Sequence, residues 1–356
     1  MPSDLARPVR RWLYLLAFLI GLMVVVGGYV RLTRSGLAIV EWNVITGVLP
    51  PIGESAWQAE FAKYQATPEY QKVNAGMTLG QYQRIFYVEW VHRIVARAIG
   101  LVVLLPLLWF WWRRKLGARK GRVYLGILAL FAFQGFLGWF MVASGLVDRP
   151  AVSHFRLTTH LLAALALLAL CLWQALELRP APPPPPRLAG RPGPRALAAA
   201  LLGIVLLQVA YGGMVAGLKA GHVSDTWPLM FGRLLPDQLL TAIQPWWSNL
   251  FHTPATIHFV HRWLAFLVLA IAVWVHTRAR SAANGKALRR ATLTLVSIVV
   301  AQLLLGITTV VLGVPIAVAL AHQGLGVLLF AMTVVVVHEL GRGAVAAAPP
   351  PLIAPN

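Results

Sequence analysis

Long apolar runs separated by short polar breaks organise this chain. Eight of them reach the roughly 17 to 25 mostly apolar residues that one bilayer crossing needs: about 10–30, 84–112, 122–145, 153–178, 196–217, 255–277, 290–312 and 315–338. Lipid offers no partner for backbone N–H and C=O groups, so each run is predicted to be helical. The first run is long and is followed by "VGGYVRLTRSG" with no small-residue cleavage site, so it reads as a retained helix and not a signal peptide.

The polar breaks are unequal. A long loop, 31–83, contains "ESAWQAEFAKYQ", where Trp57, Phe61 and Tyr64 recur at helical spacing opposite Glu54, Glu60 and Lys63. That pattern predicts a short helix, with its apolar stripe either on the membrane surface or packed on the loop itself. A second loop, 218–254, carries Trp227, Trp246 and Trp247, which suit interfacial anchoring or a lid. "RPAPPPPPRLAGRPGPR", 179–195, reads as an extended proline-rich linker, and 341–356 as a disordered tail.

The chain also repeats itself. "VVVGGYVRLTRSGLAIVEWNVITG" returns as "QVAYGGMVAGLKAGHVSDTWPLMFG", "VHRIVARAIGLVVLL" as "VHRWLAFLVLAIAVW", and "LTTHLLAALALL" as "ALAHQGLGVLLF". Gln134, Gly138 and Gly145 are matched by Gln302, Gly306 and Gly313. The expected fold is therefore an all-α integral membrane protein of eight transmembrane helices, arranged as two duplicated four-helix bundles in parallel pseudo-symmetry. Residues 1–178 form the amino-terminal bundle and 196–340 the carboxy-terminal one, joined by the linker.

Composition agrees with the membrane reading: 58% of residues are hydrophobic, 12% are charged, and the mean hydropathy is +0.70. Soluble domains average about 25% charged residues. The net charge of +20 does not point to nucleic acid, because the basic residues fall in alternate connections: Arg7, Arg10 and Arg11, then 113–122, 179–195 and 278–290, with Arg342 last. By the positive-inside rule these connections and both termini are cytoplasmic. The single cysteine, Cys171, lies mid-span and cannot form an intramolecular disulfide.

Four of the ten histidines occupy equivalent repeat positions, His92, His160, His261 and His322. Each lies seven or eight residues from the outer end of its span, about 10 to 12 Å deep at 1.5 Å per residue. Two imidazoles facing one another across a bundle suit a planar macrocycle whose iron takes axial nitrogen ligands. A closed zinc site would need four ligands together. Arg93 and Arg262, each directly after its histidine, can pair with carboxylate side arms of such a ring, or with a carbonyl or headgroup. Only one half has a carboxylate: Glu89 lies three residues before His92, on the same helix face, whereas His258 holds that place before His261. His258 reads as a hydrogen-bonding neighbour or an alternative ligand.

These motifs resemble the haem A synthases, in the long-first-loop class shared by mitochondria and many proteobacteria. The resemblance rests on "GGYVRLTRSGLAIVEWNVITGVLPP", "TPEYQKVNAGMTLGQYQRIFYVEWVHR", "HFRLTTHL", "DTWPLMFGRLLPD", "PWWSNLF", "FVHR" and "AHQ". It implies oxidation of the methyl group of haem O to the formyl group of haem A, by successive hydroxylation, for terminal oxidase assembly. It also implies that His92 and His160 ligate the substrate or product haem, that His261 and His322 ligate a haem b cofactor, and that Glu89 is the catalytic carboxylate. The expected partners are haem O, haem O synthase, an electron donor or acceptor and the lipid bilayer, with homo-oligomerisation left open. The expected location is the inner membrane, with both haem sites toward the outer face. The chain departs from some relatives in lacking an outer-loop cysteine pair, in having Arg84 and Trp90 where Lys and Tyr are common, and in having His258 where Gln is common. The alternative function is a dihaem b-type cytochrome relaying electrons from quinol.

Overall fold

The computed structural model describes residues 3–44, 46–113, 116–180, 194–237, 239–280 and 285–345. Most of the proline-rich linker, 181–193, and the tail from 346 onward lie outside them. Among the described residues every long element is an α-helix: α1 (Ser3–Leu32), α2 (Glu54–Gln65), α3 (Pro68–Lys72), α4 (Leu79–Trp112), α5 (Ala118–Ala143), α6 (His154–Glu177), α7 (Pro194–Gly217), α8 (Asn249–His252), α9 (Pro254–Ala279), α10 (Gly285–Val311) and α11 (Ile316–Val345). All but α2, α3 and α8 are long and apolar enough to cross a membrane, in the places the apolar runs predict. Helix α11 continues to Val345, so the first five residues of the expected tail are helical.

Local chemistry sets several of these boundaries. At the start of α4 the Thr78 hydroxyl accepts from the Gln81 backbone N–H, and the Gln81 side chain accepts in return from the Thr78 N–H. This reciprocal cap satisfies two orphan donors. Pro68 and Pro254 stand in the first turns of α3 and α9, where the missing N–H costs nothing. Gly313, at φ 71°, ends α10.

The spanning helices pack as two rings. α1 lies on α4, α4 on α5, α5 on α6, and α6 back on α1; α7, α9, α10 and α11 follow the same cyclic order. The rings meet along α6 and α11, flanked by α1 on α11 and α6 on α7. One continuous core, including Leu16, Leu107, Leu168, Val268, Leu295 and Phe330, runs through both. Because lipid tails are as apolar as leucine, close van der Waals fit and interhelical hydrogen bonds decide such packing.

Small residues make that fit at the seam. A Cβ on Gly28 would lie 2.1 Å from Gln323 Oε1, and Gln323 donates to the Val24 carbonyl at 2.6 Å. At Gly213, which holds the same repeat position, a Cβ would meet Thr158 Oγ1 at 2.8 Å. Arg31 reaches across to donate to the Ala216 carbonyl at 2.5 Å. His154, at the head of α6, donates to the Phe251 carbonyl at 2.9 Å. At the other end His338 of α11 pairs with Glu177 of α6 at 3.2 Å.

The outer-loop helix falls where its periodicity predicts it, and its stripe faces protein. Trp57, Phe61 and Tyr64 are buried against Ala38, Ile39, Tyr82 and Phe86. Trp57 meets Phe86 edge-on at 5.0 Å, and Tyr64 stacks on Tyr82 at 5.2 Å. The first turns of α4 precede the apolar run and give α2 its platform. In the second loop Trp246 and Trp247 are exposed, whereas Trp227 stacks on Phe266 of α9.

Candidate functional site

Helix α4 carries Glu89, His92, Arg93 and Arg97, and its polar residues fasten the segment that follows α1. Glu89 is buried. Its Oε2 accepts from the Ile39 N–H at 2.9 Å, and its Oε1 accepts from Arg93 Nε at 3.1 Å and Nη2 at 2.7 Å. Arg93 also donates to the Glu41 carbonyl at 3.0 Å and the Ile39 carbonyl at 2.9 Å, and lies over the Trp42 ring. Arg97 donates to the carbonyls of Val44 and Asn43.

Helix α9 repeats the device. Arg262 donates to the Thr226 carbonyl at 2.9 Å and the Ser224 carbonyl at 2.8 Å, and lies over Trp227. These partners occupy the repeat positions of Glu41, Ile39 and Trp42. Where Arg93 meets a carboxylate, Arg262 Nε donates to His258 Nε2 at 3.1 Å. The two arginines therefore hold carbonyls, one of the alternatives open from sequence, and the side chain that each meets on its own helix is a carboxylate in one clamp and an imidazole in the other.

All four repeat-related histidines stand against glycines of neighbouring helices. A Cβ on Gly27 would lie 3.5 Å from His92 Nε2, and one on Gly138 3.3 Å from His160 Cε1. A Cβ on Gly212 would lie 3.0 Å from His261 Cε1, and one on Gly306 2.9 Å from His322 Cε1. Gly145 and Gly313, at the same seven-residue spacing, face other surroundings. The His261 and His322 rings have their centroids 6.5 Å apart. A metal bound by both, with bonds of about 2 Å to each ring nitrogen, needs ring centres roughly 6 to 7 Å apart, so this pair fits axial ligation of one iron. No group of three or more His, Cys, Asp or Glu occurs among the described residues. Two histidines per site suit a macrocycle that brings its own equatorial nitrogens.

Glutamines complete the setting. Gln134 donates to the His160 carbonyl at 2.9 Å, Gln208 to the His261 carbonyl at 3.0 Å and Gln302 to the His322 carbonyl at 3.0 Å. Sequence reasoning matched Gln134 with Gln302 but gave neither a role, and it missed Gln208.

Comparison with known proteins decides the kinship. A family model described as "Cytochrome oxidase assembly protein" matches residues 10–334. A "Heme A synthase" of Rhodopseudomonas palustris (strain HaA2) is 46% identical over 340 residues, covering 94% of this chain and 90% of the relative. Others so named, from Bradyrhizobium sp. (strain ORS 278) and Sphingopyxis alaskensis, are each 43% identical and cover 97% and 94% of this chain, and 95% and 92% of their own lengths. The chain belongs to the haem A synthase family. This kinship does not favour the electron-relay alternative.

In this member of the haem A synthase family a second buried carboxylate, Glu69 of α3, lies in the outer loop. Tyr64 Oη donates to it at 3.3 Å, and Asn74 Nδ2 donates to Tyr64 Oη at 2.7 Å. Burial pushes the Glu69 carboxyl from 4.5 up to about 7, and the charge of Glu89 pushes the same way. The Tyr64 hydrogen bond and the charges of Lys219 and Arg34 partly offset this. Between those two values the folded state holds a proton that the unfolded state has lost, so stability falls as pH rises through the window. Thermal melting of the solubilised protein across it should show a declining midpoint, and Glu69→Gln should flatten the decline.

Proposed function

We propose that this protein is a haem A synthase, an enzyme that oxidises the methyl group of haem O to the formyl group of haem A. The observation that carries this reading is the set of four histidines, each against a glycine, with a buried carboxylate one turn from only one of them. Two equivalent sites would serve a relay equally well; a carboxylate in one half alone suits a half that does chemistry.

In this reading His92 and His160 hold haem O or haem A, and His261 and His322 hold a haem b. The bound iron supplies the redox chemistry. Glu89 holds or moves a proton at the substrate side, its carboxylate aimed by the Ile39 N–H and by Arg93. The buried packing of α2 on α4 excludes water above it. Beyond the bonds to carbonyls, Glu89 and His258, Arg93 keeps one guanidinium N–H and Arg262 two, and these suit the carboxylate side arms of the rings. His258 keeps Arg262 in place as a neutral acceptor.

The rings are read as two duplicated bundles in parallel pseudo-symmetry, with both termini and the basic connections cytoplasmic and the histidines toward the outer face of the inner membrane. Haem O synthase is the natural supplier of so apolar a substrate, and an electron donor or acceptor serves as the redox partner. The test is to supply haem O to membranes that contain the protein together with its redox partners, in aerated buffer, and to analyse the extracted pigment against membranes lacking the protein. Appearance of haem A is the expected result; unchanged haem O, or pigment that is haem B alone, overturns the assignment.

A further inference from the structure

The two halves differ in how firmly they hold their candidate ligands. In α7, Gln208 stands one turn before Gly212, the glycine against His261. Its side chain donates to the His261 carbonyl at 3.0 Å, and His261 Nδ1 lies 3.2 Å from both the Gln208 carbonyl and Gln208 Nε2. Gln208 thus holds the ring at Nδ1, which orients it and leaves Nε2 for a metal, and losing such a partner typically costs 10- to 100-fold in metal affinity. Gln302 and Gln134 fasten the backbones of His322 and His160 in the same manner.

His92 is the exception. The repeat that sets Gly212 on Gly27 sets Gln208 on Met23, one turn before the glycine against His92. A thioether has no hydrogen to donate, and among the described residues no side chain donates to the His92 carbonyl, while neither the His92 nor the His160 ring has the bond that His261 Nδ1 makes. The helix that carries His92 is also the looser one. α4 packs less extensively on α1 and α5 than α9 does on α7 and α10.

We propose that Gln208 makes His261 a fixed ligand while Met23 leaves His92 free to let go, so that the amino-terminal site exchanges its haem and the carboxy-terminal site keeps it. The proposal rests on the reading of both histidine pairs as haem sites. It answers a requirement of that reading, because a converting site must take in substrate and release product, whereas a site that only passes electrons must retain its ring.

The test uses haem B as probe and measures its transfer from the loaded protein to excess apomyoglobin. His322→Ala isolates the amino-terminal site and His160→Ala the carboxy-terminal one. The amino-terminal site should release haem faster. Gln208→Met should speed release from the carboxy-terminal site by about 10- to 100-fold, and Met23→Gln should slow release from the amino-terminal site. Slowed release cannot come from a damaged fold, so Met23→Gln decides the matter even where Gln208→Met folds poorly. Equal release from the two sites, or unchanged release in Met23→Gln, overturns the inference. A protein that takes up no haem B refutes the haem-site reading itself, and this inference with it.

Discussion

Glu89→Gln lowers the rate of haem A formation by about 10²- to 10⁴-fold, the range that positioned acid–base groups contribute, and leaves haem uptake intact. The substitution is chosen for what it preserves. A glutamine at 89 keeps the side chain's shape and one acceptor oxygen, enough for Arg93 or the Ile39 N–H though not both, and Arg93 keeps its bonds to the Ile39 and Glu41 carbonyls. Glu89→Ala would be a poorer probe, because it strands a mostly buried guanidinium at a cost of about 3–5 kcal/mol. Extracting and separating the haems after incubation with haem O reads the rate directly. A variant that converts haem O as fast as the wild type reduces Glu89 to a clamp for residues 38–41 and removes it from the chemistry.

Loss of either His261 or His322 to alanine should abolish the low-spin b-type spectrum of the carboxy-terminal site. Their ring centroids lie 6.5 Å apart with the planes nearly perpendicular, and an iron held by both would lose one of its two strong-field nitrogen ligands. The loss should exceed the 10- to 100-fold drop in affinity expected for removing only a hydrogen-bond partner. His258→Gln is the matching control, since His258 meets Arg262 and can be replaced there by another acceptor. An unchanged spectrum in His261→Ala or His322→Ala would reassign the ligands.

Much of this arrangement was legible because it depends on periodicity and repetition. The eight spans follow from apolar length, the helix at Glu54–Gln65 from the spacing of Trp57, Phe61 and Tyr64, and the four histidines from the internal repeat. What covers the α2 stripe was not legible, since membrane and protein present the same apolar surface to it. The partners of Arg93 and Arg262 were also hidden. They are main-chain carbonyls, which no side-chain pattern marks, although Trp42 and Trp227 at equal repeat positions were a signal that could have been followed. Gln208 escaped for the opposite reason: the repeat breaks there, and a search for matched pairs passes over a residue whose counterpart is methionine. Glu69 lacked any periodic or repeated companion, and only the folded loop buries it.

The contact between Arg31 and the Ala216 carbonyl joins two residues that hold the same position in the two repeats. Under the proposed parallel pseudo-symmetry, contact between counterparts places them close to the two-fold axis. In a dimer of identical four-helix units that point would carry two arginines repelling each other, or two alanines with nothing to offer a helix end. Joining the units in one chain releases the axis from that constraint. Each side can then mutate without its mirror image, which is the freedom needed for one bundle to specialise while the other stays as it was.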